Sequence, residues 1–195
     1  ASRDPHPPHG ESQDSVAYTY DPATIDIPAG LVDGPGTRRE FAQYYREITR
    51  LDRDIGLVVA ELEAQGVLDN TLLIIMSDNG RPFPGAKENL YDDGIRTPFI
   101  LFWPQAIKQP GTRGQLISTI DLAPTLLRLA GLPVPAGMQG YSFAGLLDKP
   151  EGKIRNYIYA ERNWHGVNYH ERAIRSLDYL YKENQFPLRG LGNPS

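Results

Sequence analysis

The run Leu72-Leu73-Ile74-Ile75-Met76-Ser77-Asp78-Asn79-Gly80 decides how the rest of the sequence is read. Its unbroken apolar stretch is too short for a helix and predicts a strand buried on both faces, as in the sheets of α/β proteins. In open α/β sheets, ligands gather just beyond the carboxyl ends of the strands. Asp78 and Asn79 stand there, and a carboxylate beside an amide oxygen gives hard donors suited to calcium or magnesium. Ser77-Asp78-Asn79-Gly80 also reads as an Asx turn with Gly80 at positive φ, which needs no metal.

Upstream, the sequence predicts one long amphipathic helix. Thr37 and Glu40 have the spacing of a capping box. Phe41, Tyr44, Tyr45, Ile48, Leu51, Ile55, Val58, Val59 and Leu62 recur at helical spacing, and Gly66 is a natural stop. Residues 1–36 are rich in Pro, Gly, Ser and Asp and read as a long surface loop. They include Asp4-Pro5-His6-Pro7-Pro8-His9, where a histidine held by prolines suits proton donation to a leaving group. A disordered terminus is the other reading of that segment.

Downstream, Arg81-Pro82-Phe83-Pro84-Gly85-Ala86-Lys87 is a loop stiffened by two prolines and a glycine. Folded back, it would hold Lys87 over Asp78, where an ammonium neutralises the oxygens of a sulfate or phosphate. An isolated lysine there also reads as a solvated surface residue. Residues 98–103 predict a second buried strand. Residues 121–130 predict a helix with Leu122, Leu126 and Leu129 on one face, Pro124 in the first turn and Gly131 past the end. Beyond Pro150, residues 157–160 and 173–181 read as antiparallel strands. The expected organisation is a loop and linker over 1–36, a catalytic core over 37–148 and the start of a small antiparallel subdomain over 149–195.

Composition narrows the function classes. With 195 residues, 40% hydrophobic and 23% charged, the chain is ordinary for a soluble globular protein. No apolar run approaches the ~20 residues that span a bilayer. A net charge of −4 without a basic run argues against nucleic-acid binding, though it leaves room for a local cationic pocket. The absence of cysteine excludes disulfides, zinc–thiolate sites and a cysteine nucleophile within these residues. The chain opens on Ala1-Ser2-Arg3 without a start methionine, so that no signal peptide is visible says little.

Taken in order, these pieces resemble the sulfatase family. The resemblance runs through Tyr44-Tyr45, Leu51-Asp52-Arg53-Asp54-Ile55-Gly56, Gly66-Val67-Leu68-Asp69-Asn70-Thr71 and Ser77-Asp78-Asn79-Gly80. It continues through Gly94-Ile95-Arg96-Thr97-Pro98, the stretch from Ser118 to Leu127, and Gly140-Tyr141-Ser142. It implies an alkaline-phosphatase-like α/β fold, a sandwich of a mostly parallel sheet between helices, and hydrolysis of a sulfate ester or sulfamate on a sulfated carbohydrate. By the family pattern Asp78 and Asn79 are metal ligands, usually for calcium, with magnesium as the other candidate. Lys87 matches the residue that contacts the sulfate, and His6 the histidine near the leaving group, with His9 as the fallback. Asp4-Pro5-His6, Pro82-Phe83-Pro84 and Asn89-Leu90-Tyr91 resemble the heparan N-sulfatases (sulfamidases) of glycosaminoglycan degradation. In that subgroup His165 falls where a histidine could face the sugar.

One departure from the family matters. Sulfatases attack with a formylglycine made from Cys or Ser in a Cys/Ser-x-Pro-x-Arg motif, which does not occur in these residues. The family's N-terminal Asp pair and Lys/His pair are also unmatched. The expectation is therefore a C-terminal portion whose missing N-terminal half is its partner, and which is inactive alone. The resemblance further implies a periplasmic, lysosomal or secreted protein. A phosphatase or phosphodiesterase on the same fold is one alternative, although those two-metal enzymes commonly carry histidine where Asn79 stands. A non-catalytic module binding sulfated glycans is another.

Overall fold

The computed structural model describes residues 5, 9, 18–165 and 167–186, apart from the side chains of residues 165 and 167. It divides into two compact units, Ala1–Asp69 with Pro82–Gly85, and Asn70–Arg81 with Ala86–Ser195.

The first unit is built on helix α1, Pro35–Ala64. The helix starts two residues before Thr37, with Pro35 in its first turn and Gly34 at the N-cap. Proline suits that position because its absent N–H would have no helical partner anyway. The expected Thr37–Glu40 capping box is therefore not the start, and no side chain caps this end. The other end behaves as the sequence predicts. Gly66 adopts φ 69°, its N–H bonds the Glu63 carbonyl at 2.9 Å, and the Val67 N–H bonds that of Leu62 at 3.0 Å. These are the two bonds of a Schellman stop.

The described part of the loop before the helix is packed against it. Asp21 caps a 3-10 turn, Pro22–Thr24, and Ile25 is buried with Phe41 and Ala42. Arg38 secures this strap, donating to the carbonyls of Pro22, Ala23 and Ile25 at 3.3, 3.1 and 2.8 Å. Phe83 stacks on Phe41 with ring centroids 4.0 Å apart. Burial on α1 concentrates in its first half; further along, Leu57 and Val58 are 65% and 54% exposed.

In the second unit, strands β1, Leu73–Met76, and β2, Phe99–Phe102, form a two-stranded antiparallel sheet. Leu73 faces Phe102 and Met76 faces Phe99. Within the described residues this pair is thus antiparallel, and neither strand is buried on both faces. A parallel return needs a crossover, usually a helix of several turns. Here the connection holds only the four-residue helix α2, Asp92–Ile95. Burial in β2 alternates accordingly, with Phe99 turned to Phe143 at 5.8 Å and Ile100 54% exposed.

Helix α3, Leu122–Leu129, follows a 3-10 turn, Thr119–Asp121. Its buried stripe is Asp121, Pro124 and Thr125, not the expected leucine face, since Leu126 is 39% exposed. Asp121 explains the difference. It forms a capping box with Ser118 and accepts hydrogen bonds from the Tyr141 N–H at 2.7 Å and Arg155 Nε at 2.7 Å. Thr125 Oγ1 donates to the Asp121 carbonyl and accepts from the Phe143 N–H. A polar hub thus draws the helix inward on its polar side. The C-terminal strands β3, Ile158–His165, β4, Val167–Arg175, and β5, Leu180–Asn184, form an antiparallel sheet as expected, each next to its sequence neighbour. The sheet has three strands, and the single strand expected over 173–181 contains the β4–β5 turn. No helix among the described residues is long and apolar enough to cross a membrane.

Candidate metal and anion site

The end of β1 is shaped by close backbone packing. Ser77 N–H continues the ladder to the Pro98 carbonyl at 3.3 Å, and Gly80 N–H bonds that of Gly94 at 3.1 Å. A Cβ at Gly80 would lie 2.0 Å from the Asp93 carbonyl oxygen, and one at Gly94 2.0 Å from that of Asn89. Glycine is needed at both places for space. The Asx-turn reading, which needed positive φ at Gly80, does not hold, because Gly80 is not among the positive-φ glycines. Arg81 closes the back of the turn with an ion pair to Asp93 at 2.6 Å.

This packing leaves two oxygen donors free. Asp78 is exposed, and among the described residues its carboxylate has no hydrogen bond or ion pair. Asn79 Nδ2 donates to the Gly80 carbonyl at 2.8 Å. A carbonyl can only accept, so that contact fixes the amide orientation and leaves Asn79 Oδ1 uncommitted. Ser77 Oγ braces the turn by donating to the Asn79 carbonyl at 2.8 Å. Both donors line an open cleft of about 1650 Å³ between the end of β1, the loop through Leu90 and strand β3. A carboxylate and an amide oxygen side by side fit a hard cation. They are a partial set, since calcium takes about six to eight oxygens and no cluster of acidic or imidazole side chains converges among the described residues.

Lys87 follows a loop that turns back on itself. Its N–H bonds the Arg81 carbonyl at 3.0 Å, and Gly85 takes φ 81° to allow the reversal. The three residues from Asp78 to Arg81 can span at most about 11 Å, so Lys87 re-enters the chain close to the strand end. Its ammonium has no ion pair or hydrogen bond among the described residues, and it does not line the cleft. Next to it, Glu88 is the non-glycine residue at positive φ, 69°, a conformation costing roughly 1–2 kcal/mol.

The three candidate histidines, of four in the sequence, are placed unequally. His6 lies outside the described residues, as does the His165 side chain at the end of β3. His9 belongs to the first unit. Its side chain is 2% exposed, with Nδ1 3.4 Å from Glu40 Oε2 and the ring packed against Tyr44 and Phe83 at 5.6 and 5.9 Å. Its Nε2 is buried without a partner among the described residues.

Sequence reasoning missed the residues that hold the lysine-bearing loop. Arg162 donates to the Glu88 carbonyl. Lys182 Nζ lies 4.7 Å over the Tyr91 ring, and Arg175 grips Asp92 through two hydrogen bonds of 2.9 and 3.1 Å. Alternating charges on the C-terminal strands were the available signal, but only the strand register shows that they share a face.

Asp78, Asn79 and Lys87 all lie in a stretch that one known family covers. A family model described as "Sulfatase" matches residues 1–132. The chain belongs to the sulfatase family. A second model, "N-sulphoglucosamine sulphohydrolase, C-terminal", matches residues 86–186. An ulvan-active sulfatase of Formosa agariphila is 32% identical over 89% of this chain and 29% of that protein. The human N-sulphoglucosamine sulphohydrolase is 36% identical over 65% of this chain and 26% of its own length. Among solved structures, one in complex with its substrate D-glucosamine-2-N,6-O-disulfate superposes with a TM-score of 0.63 at 30% identity, covering 76% of this chain and 33% of that one. This chain thus spans about a quarter to a third of the sulfatases it matches. The solved neighbours are sulfatases of alkaline-phosphatase-like fold, and the small antiparallel sheets here are consistent with part of such a domain.

Proposed function

We propose that this chain supplies the metal- and sulfate-binding part of a sulfohydrolase acting on sulfated glycan sugars, N-sulfoglucosamine among them. The observation that carries the reading is the pair of uncommitted oxygens, Asp78 carboxylate and Asn79 Oδ1, at the end of β1 in a chain of this family.

In this reading Asp78 and Asn79 hold calcium, or magnesium, which when bound neutralises charge on the sulfate oxygens. Lys87 adds an ammonium to the same anion, stabilising charge that builds as the sulfur is attacked. By the family resemblance His6 would give a proton to the departing amine or alcohol, and His165 would belong to the sugar-binding residues; neither side chain is among those described. His9, enclosed by rings, carries no step. The attacking group, a formylglycine by family habit, comes from outside these residues, so the chain by itself is inactive. Human N-sulphoglucosamine sulphohydrolase and the glucosamine-disulfate complex support an amino-sugar substrate.

The test is turnover by the complete enzyme carrying this chain, on N-sulfoglucosamine, 4-nitrophenyl sulfate and 4-nitrophenyl phosphate, with and without chelation. Sulfate or sulfamate release that needs calcium is expected. Faster turnover of the phosphate ester would overturn the reading.

A further inference from the structure

Lys87 sits between two anchored stretches of backbone. On one side its own N–H is tied to the Arg81 carbonyl at 3.0 Å. On the other, Glu88 holds φ 69°, a conformation a non-glycine residue keeps only when its surroundings impose it. The contact that does so on the carbonyl side is Arg162 Nη1, which donates to Glu88 O.

Arg162 is built to stay put. Its guanidinium lies 3.5 Å over the Tyr169 ring, and Nη2 is 2.6 Å from Glu171 Oε2. Cross-strand register puts Arg162 opposite Glu171, and an irregularity in the ladder between Arg162 and Trp164 re-aims the strand just there. Glu171 is buried and also takes Lys182 at 3.1 Å, so Arg162 is not needed alone to balance that charge. A rigid planar fork, already fixed at two points, presents a donor to one carbonyl. The ammonium next along the chain is unpaired among the described residues. Lys182 over Tyr91 and Arg175 on Asp92 act further down the loop.

We propose that Arg162 is a positioning residue for the anion-binding lysine. By holding Glu88 in its left-handed conformation it fixes the backbone beside Lys87, and so the point from which the ammonium, which does not line the cleft in this structure, reaches the sulfate. The inference rests on the role given to Lys87 in the proposed function. It assigns to the C-terminal sheet a part in sulfate recognition without contact to the substrate.

The experiment is calorimetric titration of the complete protein with inorganic sulfate and, separately, with calcium. Arg162→Ala should weaken sulfate about tenfold, the scale seen when a group that orients a ligating residue is lost, while calcium affinity stays within about twofold. Arg162→Lys keeps a charge beside Glu171 and a donor near the carbonyl, so it should recover most of the loss. Arg162→Met, which keeps the packing over Tyr169 but offers no donor to the Glu88 carbonyl, replaces the alanine variant if that one does not fold, with the same loss expected. Retained sulfate affinity in Arg162→Ala, or sulfate and calcium affinities falling together, overturns the inference. Lys87→Ala is the control for the underlying reading. Unchanged sulfate affinity there removes the anion role of Lys87 itself, whereas a loss there with none in Arg162→Ala removes only the positioning role.

Discussion

At the end of β1 the Asp78 carboxylate accepts no hydrogen bond among the described residues, whereas just before α3 the Asp121 carboxylate accepts four. These come from the N–H groups of Ser118 and Tyr141 and from two nitrogens of Arg155. Both aspartates lie in motifs that carry the family resemblance, and the two regions spend the same functional group in opposite ways. A carboxylate saturated by its own fold has nothing left for a ligand, and its energy goes into holding segments together. A carboxylate left exposed at a strand end is hydrated at no cost and stays available to a cation. Motif membership alone does not separate the two; the hydrogen-bond account does.

Five predictions test that contrast and the ends of helix α1, taken by size of effect. The largest effect is expected for Asp78→Ala in the complete enzyme. Turnover should fall by about a thousandfold or more, as when a group stabilising transition-state charge is lost, with the metal-free melting temperature unchanged. Near-normal turnover would put Asp78 on the structural side.

Asp121→Ala should do the reverse. Arg155, whose side chain is 10% exposed, would lose its partner, and breaking such a pair costs about 3–5 kcal/mol. Urea denaturation should show that loss, and the correctly folded fraction should keep its calcium affinity. A stability change below about 1 kcal/mol, the scale of an exposed ion pair, would remove Asp121 from its role as a hub.

The pH dependence of stability refines the same point. Burial pushes the Asp121 pKa up, but the Arg155 hydrogen bond and the N–H groups of Ser118 and Tyr141 outweigh it, so the folded value is lowered. A depressed folded pKa means the unfolded chain takes up the proton first as pH falls. The contribution is therefore fully present above the unfolded value of about 3.9 and is lost as pH drops through the folded one. Denaturation midpoints compared at about pH 5 and about pH 3 should converge between wild type and Asp121→Asn at the lower pH. A gap that stays constant would show that Asp121 does not contribute through its charge.

The smallest effects concern helix α1. Gly66→Ala meets no neighbouring atom but must adopt φ 69°, so it should cost about 1 kcal/mol in denaturant stability. Thr37→Ala, inside the first turn and not at the cap, should stay within about 0.5 kcal/mol. A larger loss at Thr37 would restore the capping box read from the sequence.

Local signals carried much of this molecule. The apolar period of α1, its stop at Gly66, the strand before Ser77 and the C-terminal antiparallel strands were legible because each depends on residues close together in the chain. The pairing of β1 with β2 was not, since an apolar run predicts burial but not the direction of the neighbour. The α3 leucines misled for a related reason: the helix buries the stripe that a polar hub pulls inward, and Arg155 lies 34 residues from Asp121 in sequence.

By itself, then, the sequence determined the helix and strand segments, the family, and the oxygen donors and lysine that follow β1, because backbone propensity and motif spacing are local. Tertiary structure alone decided which aspartate is free and which is consumed, and that Arg162 holds the residue beside Lys87. Those outcomes depend on hydrogen bonds across 34 and 74 residues of chain, and a carboxylate or guanidinium takes its role from whatever the fold brings within reach.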